Sequence, residues 1–393
     1  MASNTQKKVK DLGHAVEEAD WEFTTENTGM LTHEIHRYSG KYIPQIARQA
    51  IELTTFPGDV VLDPYVGSGT TLLEANLSGR HSIGIDLNPL AVLISEVKVT
   101  PLKPGQLSRL SNYFDGAIEN ISNYICGQET LISSNEKSKE FEHINTDPRL
   151  LDAWFIKWFN QRNLKELVAL DYYIQSYPDE DARRIARVAF SNILRKSSNA
   201  HSGYPNVMLD KNKRASTSPL SSFRKALQES ILSIEELESC LNANLRTEVT
   251  HGDATDLKLE DESVDAVITH PPYIGSIPYA EYGSLSLKWL GYEPKEIDRK
   301  LTGGKRQSKD VVERFMDGYR KMLSESYRVL RPKKYLFILI GDPTVKGEFI
   351  DLAQRTKELA NEVGFNMIAE KKRTGVNRRA NKMGAETLLF FQK

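Results

Sequence analysis

Residues 60–74 read VVLDPYVGSGTTLLE, and the organisation of the whole chain follows from them. An apolar run ends in Asp63, and a loop with Gly67 and Gly69 leads into an apolar stretch of helical character. A short apolar run followed by glycines is typical of a buried parallel strand whose backbone turns tightly beneath a ligand. The helix after such a loop presents unpaired N–H groups to an acidic group. We therefore predict an α/β fold with a doubly wound sheet.

A second predicted strand, residues 81–86 (HSIGID), ends in Asp86. An acid at the end of the strand after a glycine loop can accept hydrogen bonds from both hydroxyls of a ribose. The two segments together favour an adenosine-type cofactor. A strand, turn and helix without a ligand is the alternative interpretation.

A third predicted strand, within residues 264–273 (VDAVITHPPY), ends in His270, Pro271, Pro272 and Tyr273. Prolines donate no N–H and restrict the residue before them, so the strand must stop there and leave a stiff backbone. A rigid bend with a carbonyl acceptor and an aromatic ring suits a flat base that carries an exocyclic amino group. Two prolines alone would also fit a plain strand-ending turn.

The segments DPYVGSGTT, GIDLNPLA and THPPY give the chain a resemblance to the amino-group DNA methyltransferases that use S-adenosylmethionine, the modification enzymes of restriction–modification systems. The resemblance covers residues 30–103 and 246–393. It implies a Rossmann-like methyltransferase sheet with a mostly helical inserted DNA-recognition domain. Residues 1–105 would be the cofactor half, 106–245 the insertion and 246–393 the catalytic half. In this chain Gly252 and Asp253 follow the insertion, so the insertion falls one strand earlier than is usual in the family.

The resemblance also implies which residues form the site. Lys41 and Pro44 stand where the family binds the methionine end of the cofactor, although a packing helix would explain them equally well. The residues that we expect to bind the cofactor are Lys41, Pro44, Asp63, Tyr65, Gly67, Ser68, Gly69, Thr70, Asp86, Leu87, Asp253 and Ala254.

For catalysis the resemblance points to His270, Pro271, Pro272 and Tyr273. The Pro271 carbonyl and a polar group at position 270 would accept hydrogen bonds from the target amino group and pull its nitrogen towards tetrahedral geometry, so that orientation and fixed dipoles do most of the work. Tyr273 would stack on the base, which must leave the duplex because its amino group is otherwise paired.

Position 270 departs from the family pattern, which usually has Asp, Asn or Ser before the two prolines. Thr269 resembles the Thr-Ser-Pro-Pro-Tyr form of cytosine-N(4) enzymes, whereas a carboxylate is typical of adenine-N(6) enzymes. A neutral His270 can accept one hydrogen bond at its free nitrogen. The sequence therefore favours cytosine-N(4) and leaves adenine-N(6) as the alternative.

The composition, with 39% hydrophobic and 27% charged residues, is that of an ordinary globular protein. No apolar run approaches the roughly 20 residues of a membrane span, and the polar N-terminal stretch does not resemble a secretory signal. Cys126 and Cys240 lack metal-ligand spacing, and neither follows a proline as the nucleophile of a carbon-5 cytosine methyltransferase does. We expect a cytoplasmic protein without a metal, in which residues 1–28 form a mobile or loosely packed arm.

The net charge of −1 conceals two basic runs. Residues 182–226 contain ten Lys or Arg and one acid, and residues 371–382 contain six and none. Such runs can follow DNA phosphates, although a solvated surface is the plain alternative. The segment 274–309 could close over cofactor or DNA. The predicted contacts to double-stranded DNA are Arg195, Lys196, Lys211, Lys213, Arg214, Arg224, Lys305, Arg306, Arg378 and Arg379.

Three other functions stay open at this point. RNA methyltransferases that act on guanine amino groups also use a Pro-Pro-Tyr strand, but they usually carry an RNA-binding domain before the glycine loop. The dinucleotide-binding GxGxxG motif of NAD-dependent oxidoreductases requires a third glycine, and this chain has Leu72 at that position. A catalytically inactive DNA-binding module is conceivable because of His270.

A cognate restriction endonuclease could act on the same DNA site without forming a stable complex with this chain.

Overall fold

A computed structural model describes residues 11–129, 137–203, 206–213, 217–274, 278–302, 310–374 and 385–393. The helices are α1 Leu12–Glu18, α2 Pro44–Thr54, α3 Thr70–Leu77, α4 Pro89–Val99, α5 Gln106–Glu129, α6 Lys137–Asn145, α7 Ala153–Trp158, α8 Gln161–Ser176, α9 Glu180–Ser197, α10 Pro219–Glu238, α11 Tyr279–Tyr282, α12 Ser284–Trp289, α13 Pro294–Lys300, α14 Val311–Val329 and α15 Leu352–Val363, with 3-10 turns at Leu31–Glu34 and Pro148–Leu150. The strands are β1 Val60–Asp63, β2 His81–Asp86, β3 Thr247–His251, β4 Val264–Thr269, β5 Leu330–Gly341, β6 Thr344–Val345, β7 Glu348–Phe349, β8 Asn366–Arg373 and β9 Glu386–Gln392.

The main sheet has the strand order β3-β2-β1-β4-β5-β9-β8. The first five strands in that order run parallel, and β9 pairs antiparallel with both β5 and β8. Since β1 lies between β2 and β4, the direction of winding reverses beside β1, and ligands of doubly wound sheets bind at such a reversal. The predicted fold class is confirmed.

Helices cover both faces of the sheet. On one face Leu62 of β1 and Val267 of β4 pack with α14 and α15. On the other, Val61 and Ala266 pack with α1 and α2. Adjacent residues of a strand point to opposite faces, so strands buried on both sides read as continuous apolar runs, as β1 and β4 do.

The N-terminal segment is packed from residue 11 onwards. Trp21 is buried, its Nε1 donates to Val16 O at 3.0 Å, and its ring lies 5.7 Å from that of Phe390. Our expectation of a mobile arm over residues 1–28 is therefore wrong for this part. Burial of the large aromatic side chain of Trp21 stabilises the packed conformation by more than the loss of conformational entropy costs. Residues 1–10 lie outside the described residues.

The segment that we predicted as the insertion, residues 106–245, carries α5 to α10. Its apolar side chains share one core with Leu90 and Ile94 of α4, so the helices pack directly against the cofactor half. Phe155, Trp158 and Phe159 are buried in this core. The exact domain limits stay a prediction. Within the described ranges, no helix combines the length and the apolar character needed to cross a bilayer.

Candidate active site

Asp63 joins the ends of β1 and β4. Its Oδ1 accepts from Thr269 Oγ1 at 2.8 Å and from the Tyr65 backbone N–H at 3.1 Å, and its Oδ2 accepts a short hydrogen bond from Thr71 Oγ1. One buried carboxylate thus ties the end of β4, the loop after β1 and the first turn of α3 together. Burial raises the pKa of Asp63 to about 6.

The glycine loop is pinned from two sides. Gly67 N donates to Asp86 Oδ2 at 2.9 Å, and Ser95 Oγ donates to the Gly67 carbonyl at 2.8 Å. Gly67 and Gly69 have φ of 52° and 78°, the left-handed region that favours glycine. A Cβ at Gly69 would lie 3.1 Å from Ser95 atoms, so α4 also leaves no room for a side chain there.

A cavity opens at the ends of β1, β2 and β4. Its walls include seven residues that we predicted from the sequence: Tyr65, Gly67, Asp86, Leu87, Ala254, His270 and Pro272. The segments that carry these residues are far apart in the chain. The parallel register of β1 with β2 and β4 brings them to one place.

Other predicted cofactor residues support the cavity from outside it. Pro44 is the first residue of α2 and is buried, and Ser68 and Thr70 are buried at the start of α3. Asp253 Oδ1 accepts from the backbone N–H and the hydroxyl of Thr255, both at 2.8 Å, and so holds the turn that carries Ala254.

Lys41, which we predicted to bind the cofactor, hydrogen-bonds its own segment. It belongs to a polar cluster that we did not predict from the sequence. Lys41 Nζ donates to His33 O at 2.7 Å, and His33 Nε2 in turn donates to the buried Glu74 of α3 at 2.7 Å. Arg48 Nε of α2 donates to the other oxygen of Glu74, also at 2.7 Å. The cluster holds the lead-in segment and α2 on the helix that follows the glycine loop.

The His-Pro-Pro-Tyr segment is tightly held. The His270 Nε2 lies 2.8 Å from the Tyr273 hydroxyl, and its ring also hydrogen-bonds the backbone of Gly40. Burial lowers the pKa of His270 to about 4, so the imidazole is neutral at physiological pH. Tyr273 is 4% exposed, and its hydroxyl also interacts with the half-buried Glu386 of β9. The Tyr273 ring is therefore absent from the cavity wall, and Pro271 is buried as well.

Sequence reasoning missed several residues of the cavity wall. Tyr38 and Gly40 come from the irregular lead-in before α2, Asn88 caps α4, and Tyr279 and Thr302 belong to the segment 274–309. Tyr65 OH donates to Thr302 Oγ1 at 3.3 Å across the mouth of the cavity. The available signal was the aromatic content of segment 274–309, which we expected to close over cofactor or DNA.

The donors and acceptors of the cavity fit the nucleoside half of S-adenosylmethionine. Asp86 presents a carboxylate at the cavity wall beside the Gly67 backbone, as a ribose requires. In the described part of the chain, Ser68 Oγ is buried and has no protein partner, so the loop keeps an unsatisfied polar atom next to the glycines. Leu87 and Ala254 supply apolar surface on either side.

The predicted DNA contacts divide into three groups. Arg195 donates to the carbonyls of His201 and Asn206 at 3.0 and 2.7 Å, Lys213 donates to Ala200 O at 3.2 Å, and Arg224 pairs with Asp115 at 3.2 Å. Lys196 and Lys211 are exposed. The remaining five lie outside the described residues: Arg214, Lys305, Arg306, Arg378 and Arg379.

Part of the first basic run is neutralised by acids on α9 itself. Arg184 pairs with Asp181 at 2.7 Å, and Arg183 and Arg187 both pair with Glu180. The acids lie just before the run, so a count that began at residue 182 overstated its excess of positive charge.

The raised pKa of Asp63 predicts a pH-dependent difference between the wild type and Asp63→Asn. Because the folded-state pKa of about 6 lies above the ordinary 3.8, the unfolded state loses this proton first as the pH rises. The free energy of unfolding of the wild type should therefore fall, relative to Asp63→Asn, by up to about 3 kcal/mol between pH 4 and pH 7. Urea unfolding of both proteins across this range measures it. A constant difference would show that Asp63 ionises normally in the folded state.

Comparison with known proteins agrees with the site. The family profile described as DNA methylase, for N6 and N4 methyltransferases, matches residues 3–96. The type II methyltransferase M.MvaI of Kocuria varians is 26% identical over 383 residues, which cover 82% of this chain and 80% of that protein. The type II methyltransferase M.MjaII of Methanocaldococcus jannaschii is 22% identical over 420 residues, covering 88% and 77%.

A shorter similarity extends to an RNA enzyme. The tRNA (guanine(10)-N2)-dimethyltransferase of Methanocaldococcus jannaschii is 35% identical over 78 residues, but these cover only 20% of this chain and 22% of that protein. The long matches are to the type II DNA enzymes, and the His-Pro-Pro-Tyr segment lies beside the candidate cavity. These similarities support an S-adenosylmethionine-dependent amino-group DNA methyltransferase of restriction–modification type.

Proposed function

We propose that this enzyme methylates the N(4) amino group of cytosine in a specific sequence of double-stranded DNA. The observation that carries the proposal is the junction at Asp63, which sets the glycine loop after β1 beside the His-Pro-Pro-Tyr segment after β4. The donor and the acceptor of the methyl group would then meet in one cavity, lined by Gly67, Asp86, His270 and Pro272.

The choice of cytosine rests on the acceptor side of this cavity. Among the described residues of its wall, Asp86 is the one carboxylate, and it lies with the glycine loop. Position 270 offers a neutral imidazole where adenine-N(6) enzymes typically have a carboxylate that can hold an adjacent ring nitrogen. The low pKa of His270, which is caused by burial, keeps that imidazole uncharged.

The residues would divide the work as follows. Asp86 and the Gly67 backbone hold the ribose, Leu87 and Ala254 flank the adenine, and Ser68 with the start of α3 faces the methionine end. When bound, S-adenosylmethionine supplies an electrophilic methyl group. The Pro271 carbonyl accepts a hydrogen bond from the target amino group and aims its lone pair. The imidazole of His270, held by Tyr273 and Gly40, fixes the backbone around that carbonyl.

We further propose that residues 106–245 form the recognition domain and that the exposed Lys196 and Lys211 contact DNA phosphates. The three cations that are bonded within the chain, Arg195, Lys213 and Arg224, would shape this surface. A cognate restriction endonuclease would act on the same DNA site without a stable complex.

The test is to identify the methylated base. DNA from cells that express the enzyme, digested to nucleosides and measured by mass spectrometry, should contain N(4)-methylcytosine, and an Asp86→Ala variant should leave it at background. N(6)-methyladenine instead would overturn the choice of base but not the enzyme class. Tritiated methyl transfer by the purified protein to RNA but not DNA would favour the guanine enzyme, and transfer to neither would leave an inactive DNA-binding protein.

A further inference from the structure

A second cavity adjoins the candidate active site and carries positive charge. It shares Tyr38 and Tyr279 with the wall of the first cavity. Two arginines line it as well, Arg37 from the segment before α2 and Arg195 from α9, and the described residues of its wall include no Asp or Glu. His36 on the same wall is neutral at physiological pH, because burial lowers its pKa to about 4. The two guanidinium groups therefore give this cavity, the arginine cavity, a net positive charge.

Arg37 is the cation of this cavity that is placed to reach a ligand. Its side chain is exposed, and among the described residues no acid pairs with it. Arg195 is instead held by the carbonyls of His201 and Asn206, at 3.0 and 2.7 Å. Burial and the neighbouring charge of Arg37 both lower the pKa of Arg195, so the two cations are close enough to repel each other. An anion bound by Arg37 would offset this repulsion.

Hydrogen bonds fix the segment that carries Arg37 on α9. The His36 Nε2 lies 2.8 Å from Ser191 Oγ, and Asn192 Nδ2 donates to a backbone carbonyl of the segment at 2.7 Å. Ser191 and Asn192 lie one helical turn before Arg195, on the same side of α9. The backbone at Arg37 is thus positioned beside Arg195 before any ligand arrives, which lowers the entropic cost of binding one.

The arginine cavity lies beside both parts of the proposed methyl-transfer site. A Cβ built on Gly67 would lie 3.4 Å from the Tyr38 ring, so the residue next to Arg37 covers the glycine loop. Tyr279 hydrogen-bonds the backbone of Tyr273, which joins the other side of the cavity to the His-Pro-Pro-Tyr segment. An anion bound here would therefore lie next to a nucleotide whose base has entered the site.

DNA supplies an anion at this place. An extruded base stays attached to its backbone, so a phosphate lies on either side of the flipped nucleotide. A guanidinium group matches a phosphate through two parallel N–H···O hydrogen bonds. Building on the proposed DNA methylation, we propose that Arg37 binds a backbone phosphate next to the extruded nucleotide, with Arg195 as a fixed positive charge behind it. Arg37 would thereby hold the target strand at the site while the base is out of the duplex.

Methyl transfer to plasmid DNA at a series of salt concentrations tests this contact. Arg37→Ala should lower kcat/KM for DNA about 10- to 100-fold at low salt. The slope of log kcat/KM against log salt should become shallower by about 1, the value expected for one lost phosphate contact. Arg37→Lys keeps the charge, so it should lose less activity and retain the wild-type slope. The control is Arg355→Ala, an exposed arginine of α15, which should match the wild type in both measurements.

Calorimetric titrations identify the anion. The Kd of Arg37→Ala for S-adenosylhomocysteine should equal that of the wild type. A loss of this affinity in parallel with activity overturns the proposal, since Arg37 would then hold the carboxylate of the cofactor. Inorganic phosphate should not bind the wild type with micromolar Kd. Such binding, abolished in Arg37→Ala, would assign the cavity to a free anion and also overturn the proposal.

The remaining outcomes separate this contact from a structural role and from the proposed function. Because the Arg37 side chain is exposed, Arg37→Ala should unfold at the same temperature as the wild type, and a lower Tm with a parallel loss of activity would show a structural role. A wild type that methylates DNA together with an Arg37→Ala of equal rate and equal salt slope overturns the phosphate contact alone. If the wild type transfers no methyl group to DNA, the proposed function itself fails.

Discussion

Gly69→Ala should lower the affinity for S-adenosylmethionine on the order of 100-fold. At φ of 78° an alanine costs about 1–2 kcal/mol, and its Cβ would lie 3.1 Å from the Cα, Cβ and Oγ of Ser95. The contact includes backbone, so α4 or the loop must shift. Since Ser95 also bonds the Gly67 carbonyl, the shift would move the loop that faces the cofactor. Displacements of about 1 Å in such sites cost about 100-fold.

Gly79→Ala is the matched control for this prediction. Gly79 follows the same helix, α3, and has a similar φ of 83°, but a Cβ there would meet nothing closer than Pro57 Cβ at 3.7 Å. Both variants should lose about 1 kcal/mol or more in the free energy of unfolding, measured with urea. Only Gly69→Ala should lose affinity in a calorimetric titration with S-adenosylmethionine. Equal affinities for the two variants would mean that Ser95 does not limit the loop.

Tyr273→Ala should reduce methyl transfer below about 1% of the wild-type rate and lower the free energy of unfolding by about 3–5 kcal/mol. Removing a buried ring leaves a cavity under the Pro-Pro segment. It also leaves His270 Nε2 without its hydrogen-bond partner and removes the contact of the half-buried Glu386 with the Tyr273 hydroxyl. The Pro271 carbonyl would lose its fixed direction as the imidazole beside it becomes free to turn.

Tyr273→Phe separates the ring from the hydroxyl. It keeps the packing but loses the bond to His270, so we expect a stable protein with kcat about tenfold lower and an unchanged Kd for the cofactor. The measurement is methyl transfer under saturating cofactor, with thermal unfolding beside it. Full activity in Tyr273→Phe would show that the hydroxyl is dispensable, and a folded, fully active Tyr273→Ala would remove Tyr273 from the mechanism altogether.

Residue patterns alone were enough to predict the architecture around β1, β2 and β4. The continuous apolar run that ends in Asp63 identifies a strand buried on both faces, and the prolines and glycines mark where the strands must stop. These signals are local in the chain, so no tertiary information was needed to read them.

The residue patterns did not predict which side chains face the cavity. Asp63, read as a cofactor ligand, lies under the loop and ties β1 to β4. Arg195 and Lys213, read as DNA contacts, bond carbonyls of their own segment. A charged residue can either contact a ligand or form a structural hydrogen bond within the chain. Only the position of its partners, which can lie far away in the sequence, distinguishes these two roles.

Sequence alone therefore established the fold class, the cofactor class and the segments that meet at the site. It could do so because strand burial and backbone restriction depend on residues that are adjacent in the chain. The tertiary structure alone decided that Tyr273 turns inward to His270 while Tyr38 and Tyr279 line the cavity. That arrangement depends on contacts between segments far apart in the chain, such as Glu386 of β9 with Tyr273, and no local pattern predicts it.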